Sequence, residues 1–430
     1  MYVYMKRKEF NIQAIKEYGA YYPGVFIIKI AKVLREEQYY DDFDNEDWQN
    51  FVHEYTHFLQ DISTAHGYLY YQFKAKLLKI AVYYIKNSIS KDIILPIKLE
   101  SAGITNAAGI EMLLDFYNGD YEYLHFHQIN SIKCVVDIVI EDLITEVSDF
   151  PGKLETVYIY YDDRSAPYQF GNECVIESMA YLLEHHLFGA KKRNNEFPYN
   201  TCELVCEQIC PALLNKPERI VELAEASLMY PDSGMKFYRF IERCAQYNLE
   251  ELSDNDFKDF CIGFSKTGFE QLDIAFKTAC NGVDVLFPKE FCGTQMTNDQ
   301  IKVFLECGHN YRQSNKLFIS DAFESKDPKE YFKMLIELFD IPMLIDENKN
   351  YYGKPGTQLM PVPDAFLAIL TEQQGGGCSL QDFCKESGLD CFESIICTEH
   401  PWEQCYSESI CPIAAYFIGF GISDRNFHWK

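Results

Sequence analysis

Basic residues are scarce. Across 430 residues, 39 Lys and Arg face 65 Asp and Glu, giving a formal charge of −26. Such a surface repels phosphate, so generic nucleic-acid binding and adhesion to anionic membranes are not expected. Long hydrophobic runs are missing too. The longest, 24–30 and 413–422, fall well short of the ~18 apolar residues that a membrane span requires. The opening MYVYMKRKEF has basic residues but no apolar stretch behind them, so a secretory signal is not expected. Without an export signal, the sixteen Cys are expected as reduced thiols in a cytoplasm. No C-x-x-C pair occurs, and there is no internal repeat and no low-complexity segment. What is present suits a globular chain. Apolar residues make up 47% and aromatics 15%, ample for a core, and the length suits two or three domains or one large one.

One stretch organises the rest. Asn45–Ser63 reads NEDWQNFVHEYTHFLQDIS and contains His53-Glu54-Tyr55-Thr56-His57, the pattern H-E-x-x-H. With ten His in the chain, chance produces such a pattern in roughly one or two of every hundred chains of this kind, so its surroundings matter. Trp48, Phe51, Val52, Tyr55, Leu59 and Ile62 recur every three or four residues, the period of a helix. They fall opposite His53 and His57, while Gln60 and Thr64 fall on the histidine side. Asn45 is the expected N-cap, with Glu46 and Asp47 in the first turn, and Gly67 is the expected stop. Two imidazoles one turn apart on one face can hold one Zn²⁺. Glu54, beside that face, is placed to take a proton from a metal-bound water.

A catalytic zinc takes three protein ligands and keeps one open position. A third His six residues after the second is absent, since Ser63 stands there and Gln60 replaces the Gly of that arrangement. The other source is a later helix. In residues 171–188, GNECVIESMAYLLEHHLF, Glu173, Glu177 and Glu184 lie at about 0°, 40° and 20° on the helical wheel. Val175, Met179, Leu182 and Leu183 lie on the other side. Three acids sharing one face of an apolar helix suit a cation partner, although a solvated acidic edge also fits a chain of this charge.

H-E-x-x-H followed by Glu177-Ser178-Met179-Ala180-Tyr181-Leu182-Leu183-Glu184 resembles the gluzincin zinc metallopeptidases, whose second helix reads E-G/S-x-A-x-x-x-E. The resemblance covers about thirty residues. It implies His53, His57 and Glu177 as zinc ligands and Glu54 as general base. A competing register resembles the thermolysin-like N-E-x-x-x-D arrangement, with Glu173 as ligand and Glu177 orienting a His. Glu177 is preferred because Ala180, three residues on, permits close packing against the first helix. The two motifs lie 119 residues apart, and no G-x-M-E-N exopeptidase signature occurs.

The reaction implied is peptide-bond hydrolysis, most simply by an endopeptidase. A metal-activated water attacks the carbonyl, and Glu54 accepts its proton and returns it to the leaving amine. Tyr181, Tyr230 and Tyr238 are weak candidates for the oxyanion donor. Two rivals are a zinc hydrolase acting on a non-peptide amide and an inactive zincin scaffold serving as a binding or regulatory module. Glu54 speaks against the inactive scaffold.

The expected fold is α+β and predominantly α-helical, a zincin-like core with a small sheet and a helical extension. Strands are expected over 24–30, 155–161 and 341–346, and helices over 67–98, 112–117 and 132–147. The polar run 191–198 and Gly375-Gly376-Gly377 are expected linkers. They divide the chain into 1–198, the metallopeptidase core; 199–374, a mostly helical extension; and 375–430, a Cys-rich segment. The partner expected is a peptide or protein substrate, with a regulatory partner or ligand acting through 199–430. Cys202, Cys206 and Cys210 form one helical stripe, read as a small apolar face. The tail holds Cys378, Cys384, Cys391, Cys397, Cys405 and Cys411, with His400 among them. Plain thiols, a structural metal, and disulfides or redox sensing all remain open there. His125-Phe126-His127 reads as a polar loop, with a second metal as the alternative, and Cys307-Gly308-His309 as a turn.

Overall fold

The computed structural model describes residues 20–22, 24–34, 40–41, 43–98, 105–121, 124–125, 132–139, 154–161, 167–190, 196–291, 293–348, 350–354, 357–371, 377–381, 384, 394–406 and 411–430. Two antiparallel strands come first, β1 (Ala20–Tyr22) and β2 (Ile27–Lys29). The strand expected over 24–30 is shorter, because residues 24–26 form the turn that joins the pair.

The histidine helix follows as α1 (Asn45–Ser63). Its N-cap is Asp44 rather than Asn45. The Asp44 carboxylate accepts the N–H groups of Glu46 and Asp47 at 2.9 and 3.0 Å, and Asp47 accepts the Asp44 N–H at 3.0 Å. This reciprocal box satisfies the exposed donors of the first turn. Asn45 is drawn elsewhere, its amide donating to the Phe188 carbonyl at 2.6 Å. The helix also stops earlier than expected. Thr64 turns to extended backbone at φ −122°, and its hydroxyl caps α2 (Ala65–Asn87) by accepting the Gly67 N–H at 3.3 Å. Gly67 therefore lies inside α2, where a Cβ would stand 2.1 Å from the Asp61 carbonyl oxygen. It permits a close approach at the corner and does not end the helix.

Next come β3 (Asp92–Leu95), α3 (Thr105–Asn118), β4 (Leu124–His125), β5 (Ile132–Val139), β6 (Leu154–Tyr161) and β7 (Tyr168–Phe170). Two helix expectations are corrected here. The helix expected over 67–98 ends at Asn87, and 92–95 is a strand. Residues 132–139, expected as helix, are a strand paired antiparallel with β6 over eight positions, from Ile132 opposite Tyr161 to Val139 opposite Leu154. The β-branched Ile132, Val135, Val136, Ile138 and Val139 fit a pleated surface better than a helix. The apolar stripe does not reveal this without the partner strand. Residues 140–147 of that expectation lie outside the described residues.

The glutamate helix is α4 (Asn172–Phe188), followed by β8 (Glu196–Phe197). Then come α5 (Thr201–Ile209), α6 (Pro217–Ser227), α7 (Ser233–Cys244), α8 (Asp254–Phe264), α9 (Lys266–Leu286), α10 (Thr294–Ser314) and α11 (Pro328–Phe339). The chain finishes with β9 (Met343–Ile345), β10 (Tyr351–Tyr352), α12 (Val362–Thr371), α13 (Ser394–Glu399), α14 (Pro412–Gly419) and β11 (Asn426–Trp429). The fold is α+β and predominantly α-helical, with small sheets.

Contacts cross the boundaries expected at 198 and 374. Strand β9 pairs parallel with β2 in the sheet β1-β2-β9-β10, and β11 pairs parallel with β3. Helix α10 packs on α1 and α9 on α2. One cluster of buried apolar residues extends from Val25 to Phe427. Within it Phe26, Phe58 and Phe304 meet edge to face, with centroids 5.3 to 5.5 Å apart, a geometry that the aromatic quadrupole favours. Of the expected linkers, residues 191–195 and Gly375-Gly376 lie outside the described residues. No helix among the described residues is long and apolar enough to cross a membrane.

Candidate metal centre

The histidine face of α1 is not open to solvent along its length. Helix α4 packs against it, leaving His53 6% and His57 7% exposed. The two rings lie edge to face, with centroids 4.9 Å apart. Glu177 reaches in from α4, its Oε2 standing 3.3 Å from His53 Nε2 and 3.6 Å from His57 Nε2. These are charge-assisted contacts that share one point. Among the described residues, His53, His57 and Glu177 are the group whose ligand atoms all lie within 4.8 Å of one another, and together they could hold a metal ion.

The outer nitrogen of each ring faces an acceptor. His57 Nδ1 lies 2.9 Å from Gln60 Oε1, and the Gln60 amide donates to the Ile176 carbonyl at 3.3 Å. Since that oxygen only accepts, His57 donates from Nδ1; Glu177 likewise only accepts, so the proton of the raised-pKa His57 Nε2 faces Glu177, and a metal bound there would take that proton's place. Glu184 Oε2 stands 2.9 Å from His53 Nδ1, a charge contact that falls short of an aligned hydrogen bond. It favours a proton on His53 Nδ1, while His53 Nε2 donates to Glu177 Oε2 at 3.3 Å. Carboxylates and amides that grip the outer nitrogen are what orients an imidazole for a metal.

The electrostatics follow from burial opposed by nearby opposite charge. Burial pulls the His53 pKa down, but Glu184 and Glu177 outweigh it and lift it to about 10. His57 is raised in the same way, burial being overcome by Glu177. Glu177 is the converse case: burial raises it, and His57 and His53 bring it well below the ordinary carboxylate range. Glu54 feels burial most, which raises its pKa, while His53 and His57 hold it back.

Of the residues singled out from the sequence, His53, His57 and Glu177 come together. Glu54 is coupled electrostatically to them, and Glu184 supports His53 from outside. Glu173, one turn nearer the N-terminus of α4, is not part of the group. Tyr181, Tyr230 and Tyr238 do not reach it. Tyr181 is buried with its ring stacked on His185 at 5.6 Å, the Tyr230 hydroxyl donates to the Phe264 carbonyl at 3.2 Å, and Tyr238 packs in α7. His309 of α10 packs on Phe276 of α9, with Nε2 2.7 Å from Asp273, and Cys307-Gly308-His309 is helical, not a turn. Cys202 and Cys206 are buried along α5 as the apolar face expected, and Cys210 is buried at its C-cap. Phe126 and His127 lie outside the described residues.

Several residues near the centre were missed. Tyr21, on β1, stacks over His57 with centroids 6.1 Å apart, and its hydroxyl donates to Asp61 Oδ2 at 2.7 Å. The Gly24 N–H donates to the same oxygen at 2.9 Å. Beside it, burial and then the Glu54 carboxylate push the Tyr22 hydroxyl up to about 12. Tyr199 lies 6.0 Å from the His53 ring. His66 is held by Asn172, whose Nδ2 lies 3.1 Å from His66 Nδ1 and also donates to the Pro231 carbonyl at 2.9 Å. Asn172 Oδ1 accepts from the Ser233 N–H and hydroxyl at 2.8 and 2.7 Å, which fixes its amide orientation. His66 Nδ1 is therefore the acceptor, and burial, with His57 nearby, depresses its pKa to about 4. The Asn172-Glu173 pair drew notice in the sequence, but only for the glutamate. Nothing in the spacing of Tyr21, Tyr22 or His66 sets them apart among 31 Tyr and ten His. Comparison with protein-family models, with curated proteins and with solved structures finds no match for this chain.

Proposed function

We propose that this chain is a zinc-dependent peptidase of the gluzincin type, cleaving peptide bonds within a peptide or protein substrate. One observation carries the reading: two helices aim His53 Nε2, His57 Nε2 and Glu177 Oε2 at one point, with Glu54 alongside. The donor set of two imidazoles and a carboxylate fits Zn²⁺. When bound there, Zn²⁺ supplies Lewis acidity that polarises a carbonyl and acidifies a water.

The chain's own residues do the remainder. His53, His57 and Glu177 hold their lone pairs on the centre, oriented from behind by Glu184 and Gln60. Glu54 takes the proton of the attacking water on its carboxylate and delivers it to the nitrogen of the leaving amine. We assign the donor to the developing oxyanion to Tyr22, coupled electrostatically to Glu54, or to Tyr199, whose ring lies 6.0 Å from that of His53.

Metal per chain tests the ligands. The wild type and Glu173→Ala are expected to retain one zinc at this centre, and His53→Ala and Glu177→Ala to lose it. Retention in both of the latter variants rules out the site as drawn. Glu54→Gln is expected to keep the metal and lose peptide cleavage by two or more orders of magnitude. Cleavage at the wild-type rate would remove Glu54 from the role of base.

A further inference from the structure

The seam between α1 and α4 carries polar contacts beyond the metal centre. They step backwards along α4 as α1 advances. His53 meets Glu184, His57 meets Glu177, and His66, just past the corner at Thr64, meets Asn172. Thr64 follows His57 by seven residues, which returns to nearly the same face of the helix. At 1.5 Å per residue it lies about 10 Å further along the axis. His66 begins the next helix there, close enough for His57 to act on its charge.

The His66 ring is held in one protonation state by geometry. Asn172 is 1% exposed, and its amide has a single workable orientation. Its Oδ1 accepts the Ser233 N–H at 2.8 Å and the Ser233 hydroxyl at 2.7 Å; a flipped amide would set N–H against N–H. Nδ2 therefore directs its two hydrogens at the Pro231 carbonyl and at His66 Nδ1. A ring nitrogen that accepts carries no proton, so the imidazole is neutral and its hydrogen sits on Nε2. Burial, with His57 nearby, agrees with this by depressing the His66 pKa to about 4. The link to Asn172 uses one nitrogen only. Nε2 has no hydrogen-bond partner among the described residues, and the side chain is half-buried rather than sealed off. One uncharged N–H donor thus stands oriented and unspent beside the metal centre.

Such a donor selects an acceptor. Along an extended peptide the acceptor that recurs at every residue, whatever the side chain, is the main-chain carbonyl. An offset of about 10 Å corresponds to about three residues of extended chain at roughly 3.3 Å each. Resting on the peptidase reading above, we propose that His66 is a substrate-binding residue, whose Nε2–H holds a main-chain carbonyl of the peptide about three residues from the bond that is cut. Asn172 and Ser233 position it by fixing its tautomer. Only a hydrogen bond forms; the ring exchanges no proton with the substrate.

The zinc-loaded full chain is assayed on two peptides sharing one scissile bond, a short one that ends before this subsite on both sides and a long one that passes it on both. His66→Ala is expected to lower kcat/KM on the long peptide roughly tenfold, the worth of one neutral hydrogen bond, and on the short peptide less than twofold. His66→Gln, which restores an N–H donor, should recover most of the loss. A distorted fold or metal centre slows both peptides alike, so equal losses on the two, or no loss on either, overturn the subsite while leaving the peptidase reading intact. A wild type that cleaves neither peptide overturns that reading, and the subsite with it. Should His66→Ala not fold, nuclear magnetic resonance of the zinc-loaded Glu54→Gln chain with ¹⁵N-labelled imidazoles decides. The His66 Nε2–H signal, identified by its absence in His66→Gln, is expected to shift with the long peptide and not with the short. No shift with the long peptide overturns the subsite.

Discussion

At the scale of single residues, the candidate centre depends on which nitrogen of each imidazole is free. Gln60 and Glu184 occupy the outer nitrogens and leave both Nε2 atoms facing Glu177. Gln60→Leu and Glu184→Gln are therefore expected to weaken metal binding by roughly 10–100-fold without removing a ligand. Competition against a chelator measures this, and unchanged affinity in both variants would deny them the orienting role. A second residue-scale expectation concerns Glu222, which is 6% exposed and whose Oε2 has no hydrogen-bond partner among the described residues. Burial, against the pull of Lys258, pushes its pKa up to about 8, above the ~4.3 of an unfolded glutamate. The folded state thus keeps the proton longer. This stabilisation is fully present below about pH 4 and is lost as pH rises through about 8. Glu222→Gln should exceed the wild type in stability at pH 9 by on the order of 1–3 kcal/mol, with a smaller difference at pH 5. Urea denaturation at the two pH values checks it, and parallel pH profiles for both proteins would contradict it.

Among the elements, the register of α1 against its neighbours decides where the histidines point. The helix is gripped at its start by the Asp44–Asp47 box and near its end by α10. There Gly308 lies so close that a Cβ would stand 2.3 Å from the Ile62 carbonyl oxygen. Gly308→Ala should destabilise the protein by roughly 1–3 kcal/mol through overpacking, read as a lower urea midpoint; an unchanged midpoint would show that the two helices have slack. The existence of α1, α2 and α4 was legible in helical periodicity. Their ends were less so, because caps are settled by competition. Asn45 and Asp44 could both cap α1, and Asn45 was drawn off by the Phe188 carbonyl on another helix. The strand at 132–139 escaped notice for a related reason, as its eight-residue pairing with β6 is a property of two segments at once.

Across the whole molecule, segments far apart in sequence complete one another. Arg312, fully buried on α10, pairs with buried Glu225 of α6 and donates to the Ser63 hydroxyl at 2.8 Å and the Ser63 carbonyl at 3.3 Å. It binds the end of the histidine helix to the helical extension. Arg312→Ala leaves Glu225 as an unpaired buried charge and should cost about 3–5 kcal/mol. It should also lower metal affinity if the extension positions α1, and calorimetry with a metal titration reports both. The sequence by itself determined the chemistry on offer: the acidic surface, the H-E-x-x-H helix, and a second helix with three acids on one face, since charge and helical period are local properties. The preference for Glu177 over Glu173 was legible in the sequence; tertiary structure alone decided that it meets both His53 and His57, that Glu184 and Gln60 stand behind them, and that four scattered cysteines share one cavity. Each of those facts depends on how two elements are rotated against one another, and that rotation is set by the packing of buried side chains drawn from the whole length of the chain.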